Sequence, residues 1–204
     1  MTPPRFCKKE SFEKFLVEWN VSCGLKTPEH HLRIARFLEG VCESRERRGL
    51  ILAFRGSGKS TVVGLFLCWI LRRDPNMRII VISADEALAK KMVRYAKRII
   101  ESHPSLEFLR PIKKTEWAGG CLTVAREAQL RDPSLLAAGL GSNITGSRAD
   151  VIICDDVEVP KSANTAAKRL DLREKLIELE FVLTPGGMQI FIGTPHCHDT
   201  IYKT

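Results

Sequence analysis

An α/β fold, with a mainly parallel sheet sandwiched by helices and a helical segment ahead of it, is predicted by three stretches of this 204-residue sequence. Residues 50–71 read as a short apolar strand, a glycine-containing loop and an apolar helix. Residues 151–158, VIICDDVE, read as an apolar strand ending in acids, and residues 188–195 as another that runs into Gly193-Thr194-Pro195. Apolar runs alternating with helical patterns indicate parallel strands, because a parallel pair needs a crossover to bring the chain back.

The elements follow in order. Phe12, Phe15, Leu16 and Trp19 fall at helical spacing over residues 11–21. A second helix opens at Thr27-Pro28 and runs to Arg45, carrying Leu32, Ile34, Ala35, Phe37 and Leu38. The alternation then begins: strand 50–54, loop, helix 59–71, strand 78–83, helix 86–102. Residues 103–150 are turn-rich, with one strand expected at 121–124, and end in GLGSNITGSRAD. A buried strand at 151–154, an amphipathic helix at 166–181 and a buried strand at 188–192 complete the pattern. The division expected is a helical segment, 1–48, packed on a core of residues 49–204.

Composition narrows the class. Hydrophobic residues make up 44% and charged residues 27%, values of a globular body rather than a disordered or fibrous one. The length suits one core. Lys and Arg outnumber Asp and Glu by 32 to 24, a formal charge of +8 that favours polyanionic partners such as nucleic acid. Cysteines 7, 23, 42, 68, 121, 154 and 197 are scattered without a Cys-x-x-Cys pair, which fits a reduced, cytosolic chain rather than a disulfide framework or zinc knuckle. The N-terminal MTPPRFCKKE lacks the apolar core of a signal peptide, and VVGLFLCWIL (62–71) is too short to span a bilayer.

AFRGSGKST, residues 53–61, carries the strongest chemical signal. Gly58, Lys59 and Ser60 fill the end of the Gly-x-x-x-x-Gly-Lys-[Ser/Thr] pattern, with Ala53 where the first glycine would stand. Backbone N–H groups converging on phosphate at a helix N-terminus are the essential physics, and Gly56 and Gly58 allow the close approach. Residues Arg55, Gly56, Ser57, Gly58, Lys59, Ser60 and Thr61 are therefore the nucleotide-binding candidates. Lys59 would bridge the β- and γ-phosphates and Ser60 would take a Mg²⁺ position.

The acidic strand delivers carboxylates to the C-terminal edge of the sheet, beside that loop. Asp155 is the candidate for the metal shell, and Asp156 takes the water-polarising position, with Glu158 as competitor if the chain bends after the strand. Thr194 is the candidate γ-phosphate sensor at the end of the last strand, a motor-type arrangement. Arg55 could act as an internal arginine finger, and Arg148, just before the acidic strand, in cis or toward a neighbouring subunit; either could equally be a structural ion pair. On the helix at 86–102, Lys90, Lys91, Arg94, Lys97 and Arg98 form a basic stripe that either touches a DNA backbone or is simply solvated. His196-Cys197-His198-Asp199 has the residue types of a metal site but neither the spacing nor an evident fourth ligand.

FRGSGKS (54–60), ILRRDPNMRIIVISAD (70–85), LGSNITGSRADVIICDDVEVP (140–160), REKL (173–176) and IFIGTPHCHDTIYK (190–203) together resemble the large terminase subunit of tailed bacteriophages. The similarity is greatest to the DNA maturase B type of short-tailed phages. It implies a P-loop NTPase fold with a motor-type ATPase core that uses ATP and Mg²⁺ to drive double-stranded DNA into a procapsid. It also implies a portal ring and a small terminase subunit as partners, ring formation on the portal, and a place in the host cytoplasm without membrane insertion. By resemblance Lys59 and Ser60 fall on nucleotide and magnesium positions, Asp155 and Asp156 on the second acidic motif, Thr194 on the coupling motif, and Arg55 on the loop arginine implicated in catalysis.

The family pattern continues past Thr204 with the rest of the ATPase domain and a nuclease. This stretch alone is thus expected to expose a sheet edge beside the phosphate loop and to turn ATP over poorly. A helicase-like translocase shares the core features, and a prophage remnant that binds nucleotide without efficient turnover would share the motifs. A small-kinase phosphotransferase is disfavoured by the acidic strand followed by a Gly-Thr-Pro strand.

Overall fold

Alternate side chains of the central strands divide between two apolar clusters, and that alternation sets the layers. The computed structural model describes residues 10–111, 117, 119–144, 146–194 and 200–202. In strand β2 (Ile79–Ser83), Ile79 and Val81 enter one cluster while Ile80 and Ile82 enter the other. In β5 (Ala149–Asp155), Val151 and Ile153 face the first cluster and Ile152 and Cys154 the second. A strand buried on both faces reads as a continuous apolar run, as IIVIS and VIIC do.

The sheet order is β1-β6-β5-β2-β4-β3, with β1 at Arg48–Leu52, β3 at Cys121–Leu122, β4 at Leu135–Gly139 and β6 at Leu183–Gly193. Every neighbouring pair is parallel except β3–β4. Helices α1 (Phe12–Ser22), α2 (Glu29–Glu43), α3 (Lys59–Arg73) and α4 (Glu86–Ser102) contribute to the first cluster. The short α5 (Pro160–Ala163) leads into α6 (Ala166–Glu178), whose Leu172 and Leu176 pack on the other face. The predicted α/β sandwich is the observed one.

The helical preface is tied to α3 by an aromatic cluster, in which Phe12 meets Phe66 and Trp69 at centroid separations of 5.2 and 5.4 Å. The Trp69 indole donates to the Glu10 carbonyl (3.2 Å), and Arg72 pairs with the Glu10 carboxylate. This packing brings the start of α2 against the loop between β1 and α3.

Four differences from the sequence expectation have local causes. Strand β1 begins and ends two residues early, because Phe54 already turns out into the loop with 69% of its surface exposed. Strand β4 was hidden in the turn-rich region, since LLAAG lacks the β-branched signal of a strand, yet it pairs with β2 over its whole length. Strand β6 starts at Leu183 rather than Met188, but Ala149 pairs Leu183 while Val151 pairs Met188, so residues 184–187 bulge from the ladder. The helix expected to reach 181 stops at Glu178 and tightens into a 3₁₀ turn over Leu179–Phe181.

The bulge is held by Asp150, which accepts from the Arg78 backbone N–H, Arg78 Nε and Arg78 Nη2, each at 2.9 Å, and from Thr184 Oγ1 at 2.9 Å. Three strands are clasped at one carboxylate. At one end of the strand order, β1 has β6 as its neighbour and is an edge strand of the described sheet. Its outer-face residues Leu50 and Leu52 are 41% and 45% exposed, and Leu50 lines a groove of about 550 Å³ with Ile177, Phe191 and Tyr202. Among the described residues no helix is long and apolar enough to cross a membrane.

Candidate active site

The loop between β1 and α3 turns on two glycines, Gly56 (φ +84°) and Gly58 (φ +76°), in the left-handed region where a side chain is strained. Gly58 caps α3 from that conformation. A Cβ there would also lie 2.4 Å from Nε2 of His31, so the position is closed sterically as well as conformationally. Both His30 Nε2 and His31 Nε2 lie on the Ser57 carbonyl oxygen, at 2.8 and 2.9 Å, and each donates a proton to it. That carbonyl is thereby held against the start of α2, while the Ser57 N–H donates to the Phe54 carbonyl (3.3 Å) within the loop.

Lys59, in the first turn of α3, is 6% exposed. Its Nζ donates to Thr194 Oγ1 (3.1 Å) and stands 3.6 Å from Asp156 Oδ1, an ion pair too long for a hydrogen bond. Thr194 Oγ1 in turn donates to the Ala53 carbonyl (3.0 Å). The residue in the place of the usual first glycine thus uses its backbone, which alanine supplies equally well. One ammonium group ties the loop, the end of β5 and the end of β6 together.

Asp155 ends β5, and its Oδ1 is buried with no hydrogen-bond partner among the described residues. Burial pushes its carboxyl up to about 7, helped by the neighbouring Asp156 carboxylate and opposed by Lys59. Asp156 has φ +45°, an unusual left-handed conformation for a residue other than glycine, and its N–H donates to the Ile192 carbonyl (2.8 Å). Two adjacent acids, one whose charged form is disfavoured by burial and the other held in a strained turn, form a site that a cation would relieve. With Ser60, Thr61 and Lys91 they line a cleft of about 300 Å³.

Among the predicted residues, Lys59, Ser60, Thr61, Asp155, Asp156 and Thr194 lie together at this end of the sheet. Arg55 is exposed on the loop and makes no hydrogen bond or ion pair among the described residues. Arg148 donates to the Phe181 carbonyl (2.9 Å), a contact that fastens the 3₁₀ turn after α6. Glu158, expected as the competitor of Asp156, stands away from the cleft. It is fully buried, and its Oε2 accepts from Thr200 Oγ1 (2.8 Å) and the Ile201 N–H (2.7 Å), binding the segment after β6 rather than facing the cleft. Residues 196–199, the His-Cys-His-Asp run, lie outside the described residues.

The basic stripe on α4 divides in two. Lys90 pairs with Glu86 (2.8 Å), and Lys97 with Glu101 (3.9 Å) and the Trp117 carbonyl (3.1 Å). Lys91, Arg94 and Arg98 are exposed and have no such partners among the described residues. Sequence reasoning missed His30 and His31 altogether. The only available signal was a pair of histidines at the predicted start of a helix, with nothing to say which loop that helix would meet.

Comparison with known proteins adds three findings. A family model described as the terminase large subunit, T4-like-virus type, N-terminal, matches residues 50–187. The large terminase subunit of Enterobacteria phage T3 is 34% identical over 159 residues, 77% of this chain but 27% of the relative's length. The crystal structure of the HK97 bacteriophage large terminase matches with a TM-score of 0.61 at 12% identity, covering 90% of this chain and 37% of that one. At that identity the likeness speaks for the fold, a P-loop NTPase architecture.

Proposed function

This chain belongs to the terminase large-subunit family, and from that premise we propose that it is the ATP-hydrolysing part of a motor that drives double-stranded DNA into a procapsid. The observation that carries the reading is the position of Lys59, whose ammonium group joins Thr194 on β6 to Asp156 after β5 at the mouth of the phosphate loop. A cation there suits a γ-phosphate, whose arrival would take over both contacts and signal to two strands at once.

The residues fit Mg²⁺. The ion is commonly held by one or two carboxylates with substrate phosphates and water. Among the described residues no three His, Cys, Asp or Glu side chains gather into a metal cage. The orphaned buried Oδ1 of Asp155 and the Ser60 hydroxyl at the start of α3 would hold the ion. Bound there, it would neutralise charge developing between the β- and γ-phosphates. The chain's own work is to cradle the phosphates on the N–H groups of residues 55–60, to place Lys59 on the transferring group, and to orient water with the Asp156 carboxylate. Thr194 would report the γ-phosphate to the segment that follows β6. Arg55, exposed on the loop, would swing inward to stabilise transition-state charge.

In this reading the helical segment of α1 and α2 packs on an ATPase core that begins with β1, and the partners are duplex DNA, a portal ring and a small terminase subunit in the host cytoplasm. Hydrolysis of ATP, measured with and without linear duplex DNA beside Lys59→Ala and Asp155→Ala, tests it. Turnover or nucleotide binding that Lys59→Ala removes supports the reading. Nucleotide affinity indifferent to both substitutions would sink it.

A further inference from the structure

We propose that Lys91, Arg94 and Arg98 on α4 form a docking track for the phosphodiester backbone of duplex DNA, leading out of the catalytic cleft. The inference rests on the motor reading above for the identity of the polyanion, and on the structure for its location. Five basic residues share this helix, and the structure sorts them into two sets. Lys90 and Lys97 are bound to the helix's own acids, Glu86 and Glu101, and Lys97 also lies 5.7 Å from the Trp117 ring centroid. Those two acids are the whole negative charge of the helix. Lys91, Arg94 and Arg98 are exposed and have no ion-pair partner among the described residues.

Their spacing is i, i+3, i+7, which places them within about 60° of arc on one face and about 10 Å along the axis. That length spans roughly three phosphates of one strand at about 3.4 Å of axial rise each. Like charges three and four residues apart repel on a helix, so an arrangement meant only for water gains nothing from keeping acids off this face. The scaffold beneath is rigid: Ala89, Met92, Val93, Ala96, Ile99 and Ile100 are buried in the first cluster. The row starts at the site, because Lys91 lines the cleft with Ser60, Asp155 and Asp156. A formal charge of +8 on the whole chain favours a polyanionic partner in general.

The test compares two substitutions that remove the same charge from the same helix. Binding of a linear DNA duplex by the full chain is measured by fluorescence anisotropy between 50 and 200 mM salt (about the range in which phosphate contacts dominate). Arg94→Ala/Arg98→Ala is expected to lower the slope of log K against log salt by about 1.8, at about 0.9 per lost phosphate contact, and adding Lys91→Ala by about 0.9 more. Lys90→Ala/Lys97→Ala is expected to leave the slope near that of the parent, with thermal melts confirming that every variant is folded. The proposal is overturned if the two pairs change the slope equally, if neither changes it, or if the parent chain does not bind duplex DNA. ATP binding and its loss in Lys59→Ala judge the motor reading separately, so failure of the track is not mistaken for failure of the site.

Discussion

Replacing Asp155 by asparagine should make the ligand-free chain more stable, and increasingly so as pH rises. Burial, reinforced by the Asp156 carboxylate against the pull of Lys59, pushes the Asp155 carboxyl up to about 7. In an unfolded chain an aspartate titrates near about 3.9. Between those values the folded state keeps a proton that the unfolded state has released, so the folded state is penalised progressively as pH climbs through that window and fully above it. The two pKa values lie about three apart, and each unit corresponds to about 1.4 kcal/mol. The penalty is then about 4 kcal/mol at pH 8 and less than half of that at pH 5.

Asp155→Asn removes the ionisation and keeps the shape. Melting of both proteins in EDTA, without nucleotide, at pH 5, 6, 7 and 8 reads the effect. The advantage of Asp155→Asn should widen by about 2–3 kcal/mol across the series, which for a chain of this size is roughly 5–10 °C in Tm. The same substitution should abolish Mg²⁺-dependent nucleotide turnover. A stability difference that does not change with pH, or a less stable Asp155→Asn protein at pH 8, would refute the claim that Asp155 is held at a cost for the sake of a cation.

Three further outcomes follow from named contacts. His30→Leu/His31→Leu removes two hydrogen bonds from the Ser57 carbonyl, and at about 1 kcal/mol each it should weaken ATP binding roughly 10- to 30-fold by calorimetry, with the corresponding Gln pair recovering much of the loss by restoring an N–H donor; unchanged affinity in the Leu pair would remove the histidines from the site. Burial acts to raise the Asp150 carboxyl, but the hydrogen bonds from Arg78 and Thr184 and the Arg78 charge outweigh it and hold the group below its ordinary range. Asp150 therefore adds stability above its unfolded pKa that is lost as pH falls through the lower folded one, and Asp150→Ala should cost about 3 kcal/mol in urea melts at pH 7 and progressively less as pH is lowered below the unfolded value. Asp156→Asn should lower ATP turnover by about 100-fold or more, whereas Glu158→Gln should lower thermal stability and leave turnover within a few-fold; the reverse pattern would return the water-polarising role to Glu158.

What was legible in the sequence was chemistry contained in a short window. Gly56, Gly58, Lys59 and Ser60 specify the loop because backbone conformation and charge are fixed within five residues of one another. The alternating apolar strands were legible because burial on both faces imposes a composition on each strand separately. The Asp150–Arg78–Thr184 clasp joins residues 72 and 34 positions apart, and the histidine contacts with Ser57 span 27 and 26, so no local pattern could announce them. Strand β4 belongs with these: its Leu-Ala-Ala-Gly backbone is extended because β2 offers it a parallel edge, and its small side chains suit the tight approach of Gly139 to the start of α4.

The placement of Asp156 and Glu158 shows how one backbone torsion separates two acids that a register argument leaves side by side. An extended strand continued through residue 158 would place residues 156 and 158 on the same face, since side chains alternate with period two. Both acids would then compete for the cleft. The ladder instead ends at Asp155, and Asp156 adopts φ +45° while its N–H still bonds to Ile192. The chain therefore turns at Asp156 itself, leaving that carboxylate 3.6 Å from Lys59 and carrying Glu158 into the second apolar layer, where Thr200 and Ile201 satisfy it. Asp is among the side chains that tolerate the left-handed region, because a short polar group can bond locally there. The identity of residue 156 is consequently constrained twice, by the torsion that separates the two acids and by the charge that faces Lys59, and a substitution such as Asp156→Asn isolates the second constraint while respecting the first.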